Sequence, residues 1–412
     1  MKYIVAFNRD RDSYQVPLAL TEANCLERLL TDLYVPDILA GSAIPRLLGL
    51  AHRHCDGLSS SLVEGSLRAV FKQAITMRAA RTPMERLAIF RSLDRGLSRS
   101  ALKSAQATGA GLFLYSGYAF ECFCHRDMHD RRKILFVFHP HGEMSQRILS
   151  EDYEKHPDIA WSFRKHMEEI RASDLISLER EISLATDLIC ASSFTRTTLM
   201  KSGQCGKLPQ VVPYGCFPRQ LRRDKGNAKD RQVRLLFVGQ GVQRKGLHHL
   251  INAWGKMRPK DAELTVVAGG LDPAIANAIS RFGVPVRMLS ALSHAKLEEE
   301  YARADIFVMP SLVEGFGLVY LEALANGCFV IGTTNTGLPD LELPPQAAAI
   351  INAGDLPALE HALQRTIALV KSGNVSSREI QEVAQTRSWG LFREGIRASI
   401  GLARRPADAP GL

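Results

Sequence analysis

Short apolar runs rich in β-branched residues alternate with segments of helix length along most of the chain. Buried parallel strands read as continuous apolar runs, and a helix-length segment between two such strands predicts a right-handed βαβ unit. With 412 residues the chain is long enough for two domains of roughly 200 residues each. We therefore predict an α/β protein with two Rossmann-like domains that face each other across a cleft. The predicted strands are Tyr3–Phe7, Gly111–Tyr115, Ile134–His139, Asp187–Ala191, Gln210–Pro213, Val233–Gly239, Leu264–Ala268, Val284–Leu289, Ile306–Pro310, Cys328–Gly332 and Ala348–Ile351.

A charged, glycine-containing stretch over residues 219–231 separates two predicted strands, which is typical of a linker. The predicted N-terminal domain therefore covers residues 1–218, and the C-terminal domain covers residues 232–385. A C-terminal helix over 386–404 is expected to return to the N-terminal domain, and the tail 405–412 is expected to be disordered.

The turn after the first C-domain strand carries Gly239 and Gly241, followed by Arg244 and Lys245, before a predicted helix over Leu247–Met257. Open α/β sheets bind ligands at the carboxyl ends of their strands. A dinucleotide fingerprint would place a third glycine where Arg244 stands. Two cations at a helix start suit a pyrophosphate that departs with negative charge. The alternative is a solvated basic loop.

A second turn, over residues 310–327, places Glu314 beside Gly315 and Gly317 and puts Glu322 one turn into a helix predicted over 318–326. Glycines let backbone N–H groups approach an anion closely, and the helix N-terminus adds partial positive charge. Paired carboxylates suit the vicinal hydroxyls of a ribose or hexose. The alternative is that both glutamates are ordinary solvated residues.

This segment resembles the paired-glutamate motif of the retaining GT-B glycosyltransferases, family four. The sequence Arg244-Lys245-Gly246 resembles the phosphate clamp of that family, and residues 185–195 and 208–215 resemble its last two N-domain strands. The likeness covers about residues 179–332, whereas the first 130 residues share only the general layout.

The resemblance implies that Arg244 and Lys245 neutralise the departing diphosphate, that Glu322 holds the ribose, and that Glu314 contacts the transferred sugar. His139, at the end of a strand, is implied to line the cleft near the reacting carbon, with His141 as the alternative. The predicted catalytic residues are His139, Arg244, Lys245 and Glu314. The predicted donor-binding residues are Gly239, Gly241, Leu289, Ser290, Gly315, Phe316, Gly317, Leu318 and Glu322.

The expected function is retaining transfer of a sugar from a UDP- or GDP-linked donor to an acceptor hydroxyl, in cell-surface glycan or glycolipid assembly. No cofactor and no metal are expected, because cations and a helix dipole replace the divalent ion used elsewhere. Three alternatives stay open: a nucleotide-sugar epimerase of the same fold, an inactive sugar-nucleotide-binding protein, and a nicotinamide-dependent oxidoreductase that lacks the third glycine.

The chain departs from the family pattern at the turn after its first predicted strand. Many relatives carry paired glycines there, whereas residues 8–14 of this chain contain no glycine. The acceptor site is therefore left open. Asp10 and Asp12 mimic the metal-binding Asp-x-Asp of another glycosyltransferase fold, but in the wrong context. A separate set approaches a zinc-binding spacing and is left open as a metal site or a polar loop; it comprises Cys122, Cys124, His125 and His129.

The net charge of +9 predicts an anionic partner. Residues 68–103 hold nine basic residues against Glu85 and Asp94, with apolar residues at helical spacing. We expect this segment to dock on an anionic membrane, where a lipid-linked acceptor is met. The alternative is a hairpin packed on the N-terminal domain. Few aromatic residues are interleaved, so nucleic acid is not an expected partner.

No apolar run reaches the length of a spanning helix, and the N-terminus is too short for a signal peptide. The expected location is therefore the cytoplasm, peripheral on the inner face of the membrane.

Overall fold

A computed structural model describes residues 1–65, 75–172, 175–203, 205–217 and 228–402 of the chain. Three segments discussed above lie wholly or partly outside the described residues: most of the predicted linker 219–231, the tail 405–412, and the first part of the basic segment 68–103.

The N-terminal sheet is fully parallel, with the strand order β3-β2-β1-β4-β5-β6-β7. Its strands are β1 (Tyr3–Ala6), β2 (Leu26–Thr31), β3 (Val63–Gly65), β4 (Gly111–Tyr115), β5 (Lys133–Val137), β6 (Asp187–Cys190) and β7 (Gln210–Val211). The helices of this part are Gln15–Glu22, Asp37–Ala40, Ala43–Leu47, 75–79, Pro83–Thr108, Phe120–Phe123, Gly142–Lys155, Ala160–Ala172, Leu175–Leu184 and Ser193–Lys201. Single 3₁₀ turns lie at Arg11–Tyr14, Ala51–Arg53, Ser60–Leu62, Arg126–Met128 and Pro157–Ile159.

The C-terminal sheet is also parallel, with the order β10-β9-β8-β11-β12-β13. Its strands are β8 (Val233–Gly241), β9 (Ala262–Leu271), β10 (Val286–Leu289), β11 (Ile306–Val308), β12 (Phe329–Thr333) and β13 (Ala348–Ile351). Its helices are Leu247–Met257, Pro273–Phe282, His294–Arg303, Leu318–Ala325, Leu356–Lys371, Ser377–Gln385 and Trp389–Ser399, with 3₁₀ turns at Gln243–Lys245 and Pro339–Leu341.

Both sheets follow the doubly wound order in which the chain reverses direction beside the first strand. The prediction of two parallel α/β domains is confirmed. The reversal points lie between β1 and β4 in one sheet and between β8 and β11 in the other, and the ligands of such sheets bind at these points.

The sequence analysis missed β2 and β3. The run Leu26–Thr31 carries Glu27 and Arg28 in its middle, both half-buried, so it does not read as a continuous apolar strand. The strand Val63–Gly65 has three residues with no buried position, because it forms the edge of the sheet.

The C-terminal helix Trp389–Ser399 packs against the N-domain helix Gln15–Glu22. Arg393 donates through Nη1 to Gln15 Oε1 at 2.7 Å, and Arg397 pairs with Glu22. Trp389 and Phe392 of this helix are buried in the main core. This helix therefore links the C-terminal part of the chain to the N-terminal domain.

The basic helix Pro83–Thr108 lies on the N-terminal sheet, where it contacts β1 and β2. Ala101 and Ala105 are fully buried, and Leu97 packs against the same core cluster. The expectation that the apolar face of this segment meets lipid is therefore wrong for its second half, because that face is used for packing. Arg95, Arg99 and Lys103 point outward and are exposed.

Within the described residues, the helices are all too short or too polar to cross a bilayer.

Candidate functional site

The turns after β8 and β11 meet at the reversal point of the C-terminal sheet. The N–H of Leu312 donates to the carbonyl of Arg244 at 2.9 Å, so the two turns are joined through their backbones. Gly246 adopts a left-handed conformation with φ of +69°, and a Cβ there would collide with the carbonyl of Pro310. Only glycine fits this position, which allows the two turns to lie in contact.

The position of Gly246 revises the interpretation of the glycine pattern. A Cβ on Gly239 would meet no atom closer than 3.6 Å, which is ordinary contact. At Gly241 it would approach the carbonyl of Gly270 to 2.7 Å. Gly241 and Gly246 are therefore the positions where the fold itself requires glycine, and Gly239 is not.

The meeting of the turns brings Arg244 and Lys245 onto one carboxylate. Arg244 Nη1 lies 3.1 Å from Glu314 Oε2, and the Lys245 ammonium contacts the same oxygen. Arg244 Nη1 also donates to the carbonyl of Val313 at 3.2 Å. Three of the four residues predicted to be catalytic are thus in direct contact.

The side chains of this cluster are largely buried, and both burial and the neighbouring charges shift their pKa values. Burial acts to raise the pKa of Glu314, but the charges of Lys245 and Arg244 outweigh it and lower that pKa to about 2. Burial lowers the pKa of Lys245, although Glu314 opposes the effect. Glu314 is therefore an anion held between two cations, and the group as a whole carries net positive charge.

The glycine-rich turn also touches the N-terminal domain. Ser192 Oγ donates to the carbonyl of Gly315 at 2.6 Å, and Thr195 Oγ1 donates to the same carbonyl at 3.2 Å. A Cβ on Gly315 would collide with the carbonyl of Phe138 at the end of β5. The turn is seated against the strand end that carries His139.

Gly317 has φ of +92° and forms the cap before the helix Leu318–Ala325. Because Phe316 is buried against Tyr214, its side chain serves packing rather than ligand contact. The predicted donor contacts at this turn therefore rest on backbone groups and on Leu318, whose side chain is 40% exposed.

Glu322 lies on the same helix but is not part of the cation cluster among the contacts of the described residues. Its Oε2 accepts a hydrogen bond of 3.0 Å from the hydroxyl of Tyr301, and its side chain is half-buried. Leu289 and Ser290, predicted to read the base, lie at the end of the edge strand β10, with Ser290 exposed.

The two candidate histidines after β5 have different surroundings. His139 is exposed, and its ring lies 4.3 Å from that of Phe138. Desolvation by the surrounding protein, together with the charges of Arg11 and Arg244, lowers the pKa of His139. His141 is buried, and its Nε2 lies 3.6 Å from Glu179. His139 is therefore the histidine that is accessible beside Glu314.

Arg11 lies beside the candidate site, and the sequence analysis did not select it. Its guanidinium lies 3.7 Å from the ring centroid of Phe138, beside His139. It comes from the turn after β1, where four non-glycine residues adopt left-handed conformations, namely Arg9, Asp12, Ser13 and Tyr14. Such conformations cost about 1–3 kcal/mol each and persist where the surroundings enforce them. The only sequence signal was the departure from the glycine pattern at this turn.

Asp12 has a structural role in that turn. Its carboxylate accepts a hydrogen bond from the Tyr115 hydroxyl, and burial raises its pKa to about 7 in spite of that bond and the Arg11 charge. This carboxylate is therefore engaged within the fold rather than offered to a metal.

The cysteine and histidine set between β4 and β5 is spread over different surroundings. Cys122 is buried and donates through Sγ to the carbonyl of Ser98 at 2.7 Å, whereas Cys124 is exposed. Among residues 122–129, all of which the structure describes, the ligand atoms do not converge on one point. The segment is also not a simple polar loop, because it forms the helix Phe120–Phe123 and the 3₁₀ turn Arg126–Met128.

The domain that carries the cation cluster is similar to a known protein family. Residues 232–368 match the family model described as "Glycosyl transferases group 1". The match covers most of the C-terminal domain. The matched range begins before β8 and includes Arg244, Lys245, Glu314 and Glu322.

Two curated relatives extend this match. One subunit of the human phosphatidylinositol N-acetylglucosaminyltransferase is 25% identical over 206 residues, covering 48% of this chain and 42% of that protein. The MMP alpha-(1->4)-mannosyltransferase of Mycolicibacterium hassiacum is 29% identical over 163 residues, covering 38% of this chain and 39% of that protein. The match thus spans less than half of either relative.

The fold of the whole described chain, with both domains, is similar to that of solved structures. Sucrose-phosphate synthase from Thermosynechococcus elongatus superposes with a TM-score of 0.60 over 96% of this chain and 98% of that one, at 18% identity. This likeness confirms the predicted architecture of two Rossmann-like domains.

Proposed function

We propose that this protein is a retaining glycosyltransferase that moves a sugar from a UDP- or GDP-linked donor to an acceptor hydroxyl, in cell-surface glycan or glycolipid assembly. The observation that carries the proposal is the contact of Arg244 and Lys245 with Glu314 at the reversal point of the C-terminal sheet. Two partly buried cations held at a strand end suit a diphosphate that gains negative charge as it departs.

In the proposed reaction, the bond between the anomeric carbon and the diphosphate oxygen breaks as the acceptor oxygen attacks. Arg244 and Lys245 stabilise the charge that develops on the diphosphate. Glu314 is bound to both cations, so it orients them and contacts the sugar rather than acting as a free nucleophile. Retention then follows from attack on the same face, with the departing phosphate accepting the acceptor proton.

The remaining site residues take positions around this centre. Glu322, held by Tyr301, binds the ribose hydroxyls, and the end of β10 at Leu289 and Ser290 reads the base. His139 is neutral at physiological pH because its pKa is lowered, so it can hydrogen-bond the sugar without repelling an oxocarbenium-like centre. No divalent metal takes part, since the cations already supply the charge.

The acceptor is proposed to enter beside the N-terminal domain. A cavity of about 270 Å³ opens next to His139 and is lined by Arg11, Tyr118, Leu175 and Leu178, among others. Arg11 supplies a cation to its lining, and the leucines supply apolar surface. The name of the human relative, which belongs to a phosphatidylinositol N-acetylglucosaminyltransferase, supports a lipid-linked acceptor.

A peripheral membrane location is proposed on a surface other than the one predicted. The helices Asp37–Ala40 and Ala43–Leu47 and the residue that follows them carry an exposed set that we call the apolar patch: Ile38 (89% exposed), Leu39 (39%), Ile44 (53%), Leu47 (83%) and Leu48 (66%). Arg46 is exposed within it. Exposed apolar side chains around an arginine suit an anionic bilayer.

Vesicle co-sedimentation tests the membrane proposal. The double variant Ile38→Asp/Leu47→Asp should reduce binding to anionic vesicles on the order of 100-fold, since two large apolar side chains are lost from lipid. The control Leu208→Asp alters a side chain that is 70% exposed outside the patch and should bind as the parent does. If the double variant bound anionic vesicles as well as the Leu208→Asp control did, the proposal that the apolar patch binds the membrane would be refuted.

A turnover panel tests the function itself. The protein is incubated with UDP- and GDP-sugars, with and without lipid and sugar acceptors, and both nucleotide release and product anomer are measured. Acceptor-dependent release with a retained anomer supports the proposal. Conversion of the donor without any acceptor favours the epimerase. Binding without turnover favours an inactive sugar-nucleotide-binding protein, and binding of NAD alone favours the oxidoreductase.

A further inference from the structure

One buried group of ionisable side chains joins the two domains and takes no part in the reaction proposed above. Asp152 lies on the helix Gly142–Lys155 of the N-terminal domain, and His248 and His249 lie on the helix Leu247–Met257 of the C-terminal domain. His248 Nε2 is 3.0 Å from Asp152 Oδ2, and His249 Nε2 is 2.7 Å from Asp152 Oδ1. All three side chains are buried.

The side-chain ligand atoms of this group lie unusually close together. Its three ligand atoms lie within 4.8 Å of one another, and it is the one group of three or more His, Cys, Asp or Glu residues found to do so within the described ranges. A third imidazole, that of His156, lies beside it. Its ring centroid is 5.4 Å from that of His248 and 4.9 Å from that of His249.

The spacing of His156 from Asp152 along the chain explains why His156 lies beside the group. His156 follows Asp152 by four residues, which places both on the same side of the helix that ends at Lys155. One carboxylate and three imidazoles therefore face each other across the domain interface, two from each domain.

Several hydrogen-bond donors share one buried carboxylate at this interface. The Nδ1 atoms of His248 and His249 are buried and have no hydrogen-bond partner among the residues that the structure describes. The two imidazoles share a single carboxylate, which also accepts a hydrogen bond of 2.8 Å from Gln243 Nε2. Two imidazoles and one amide therefore share the two oxygens of one carboxylate, and metal–ligand bonds to the two Nε2 atoms would replace these shared hydrogen bonds.

We propose that Asp152, His248 and His249 bind a zinc ion at the domain interface, with His156 or water as the fourth ligand. Around tetrahedral zinc, with metal–nitrogen bonds near 2.0–2.1 Å, neighbouring ligand atoms lie about 3.3 Å apart. The observed nitrogen–oxygen separations of 3.0 Å to Oδ2 and 2.7 Å to Oδ1 would have to open by about 0.3 Å and about 0.6 Å. The proton on each Nε2 moves to Nδ1, so that neutral imidazoles present their lone pairs to the metal.

The donor set selects zinc over magnesium or calcium. Imidazole nitrogen suits zinc and its transition-metal neighbours, whereas magnesium and calcium prefer oxygen ligands. The set also differs from the cation cluster of the donor turn, which contains no imidazole.

The position of the zinc gives it a structural role. Gln243 directly precedes Arg244, and its N–H donates to Ser162 Oγ of the N-terminal domain at 3.1 Å. The zinc would hold the helix Gly142–Lys155 against the helix that begins just after Lys245. It would thereby fix the orientation of the two domains around the cleft without touching the reacting groups.

Metal analysis of the full chain, purified without a histidine tag from zinc-supplemented medium, tests the proposal. The expected result is about one zinc per chain, and zinc sulfate returned to the chelator-stripped protein should raise its melting temperature, whereas magnesium should not. Zinc well below stoichiometric amounts, with no zinc-dependent shift in melting temperature, would overturn the proposal and leave a hydrogen-bonded contact between the domains.

Three variants locate the zinc. Asp152→Asn and His249→Gln keep the size and hydrogen-bonding capacity of the side chains, so the chelator-stripped fold should survive, as its melting temperature reports. Each should weaken zinc binding on the order of 100-fold or more. The control His294→Gln alters a histidine whose side chain is 83% exposed and should leave zinc content unchanged. Full zinc content in Asp152→Asn and His249→Gln would refute the assigned ligands. None of these readouts depends on glycosyl transfer.

Discussion

Lys245→Ala is the substitution whose effect follows most directly from the cation cluster. The side chain of Lys245 is 13% exposed and that of Glu314 is 15% exposed, so solvent screens this charge only partly. A unit charge about 4 Å from another contributes on the order of 4 kcal/mol at an effective dielectric constant near 20. Arg244 remains in the variant, so we expect the transition state to lose roughly 3 kcal/mol, about a hundredfold in kcat.

The assay is steady-state release of nucleotide with donor and acceptor at saturation, together with the melting temperature of each variant. Lys256→Ala is the matched control, because Lys256 lies on the next helix with its side chain 57% exposed and pairs with Glu360. The control should keep parental turnover. If Lys245→Ala also turned over at close to the parental rate while folded, the assignment of the diphosphate to this cluster would be refuted.

Three further outcomes are expected. Glu322→Ala should reduce transfer about a hundredfold, and Tyr301→Phe, which removes the hydrogen bond to Glu322, should reduce it about tenfold; unchanged kinetics in Glu322→Ala would exclude it from the donor site. Because its lowered pKa keeps His139 neutral below the ordinary value, kcat should stay on its plateau from about pH 8 down to about pH 6. An acid limb near pH 6.5 that vanishes in His139→Gln would contradict this. Transfer should be independent of added magnesium or manganese, and activity that is lost in chelator and restored by either ion would contradict the metal-free mechanism.

The turns after β8 and β11 were predictable because their sequence signals are local. The sequence around Arg244 and the sequence around Glu314 each combine a strand, a glycine-containing turn and a helix start. The doubly wound order then requires the turns after β8 and β11 to meet. What the local pattern did not provide was the pairing of Glu314 with both cations, which depends on the backbone contact between Leu312 and Arg244.

Features that depend on contacts between distant residues were not predictable in this way. Arg11 reaches Phe138 across the N-terminal sheet, and nothing near residue 11 indicates that contact. Asp152 meets His248 and His249 only after the two domains come together. The apolar face of the helix Pro83–Thr108 was read as a lipid-facing surface because helical periodicity does not distinguish packing on a sheet from packing on a membrane.

The central claim is that the turns after β8 and β11 bind a nucleoside diphosphate sugar. It is tested most directly by isothermal titration of UDP, GDP, their sugars and NAD against the protein and against Lys245→Ala, with thermal unfolding in parallel. One nucleotide diphosphate and its sugar should bind at one site per chain and bind more weakly to the variant. At 100 times its dissociation constant, the ligand should add about 2.7 kcal/mol to the stability. Binding of NAD in preference to every nucleotide diphosphate, or equal binding by the variant, would contradict the claim.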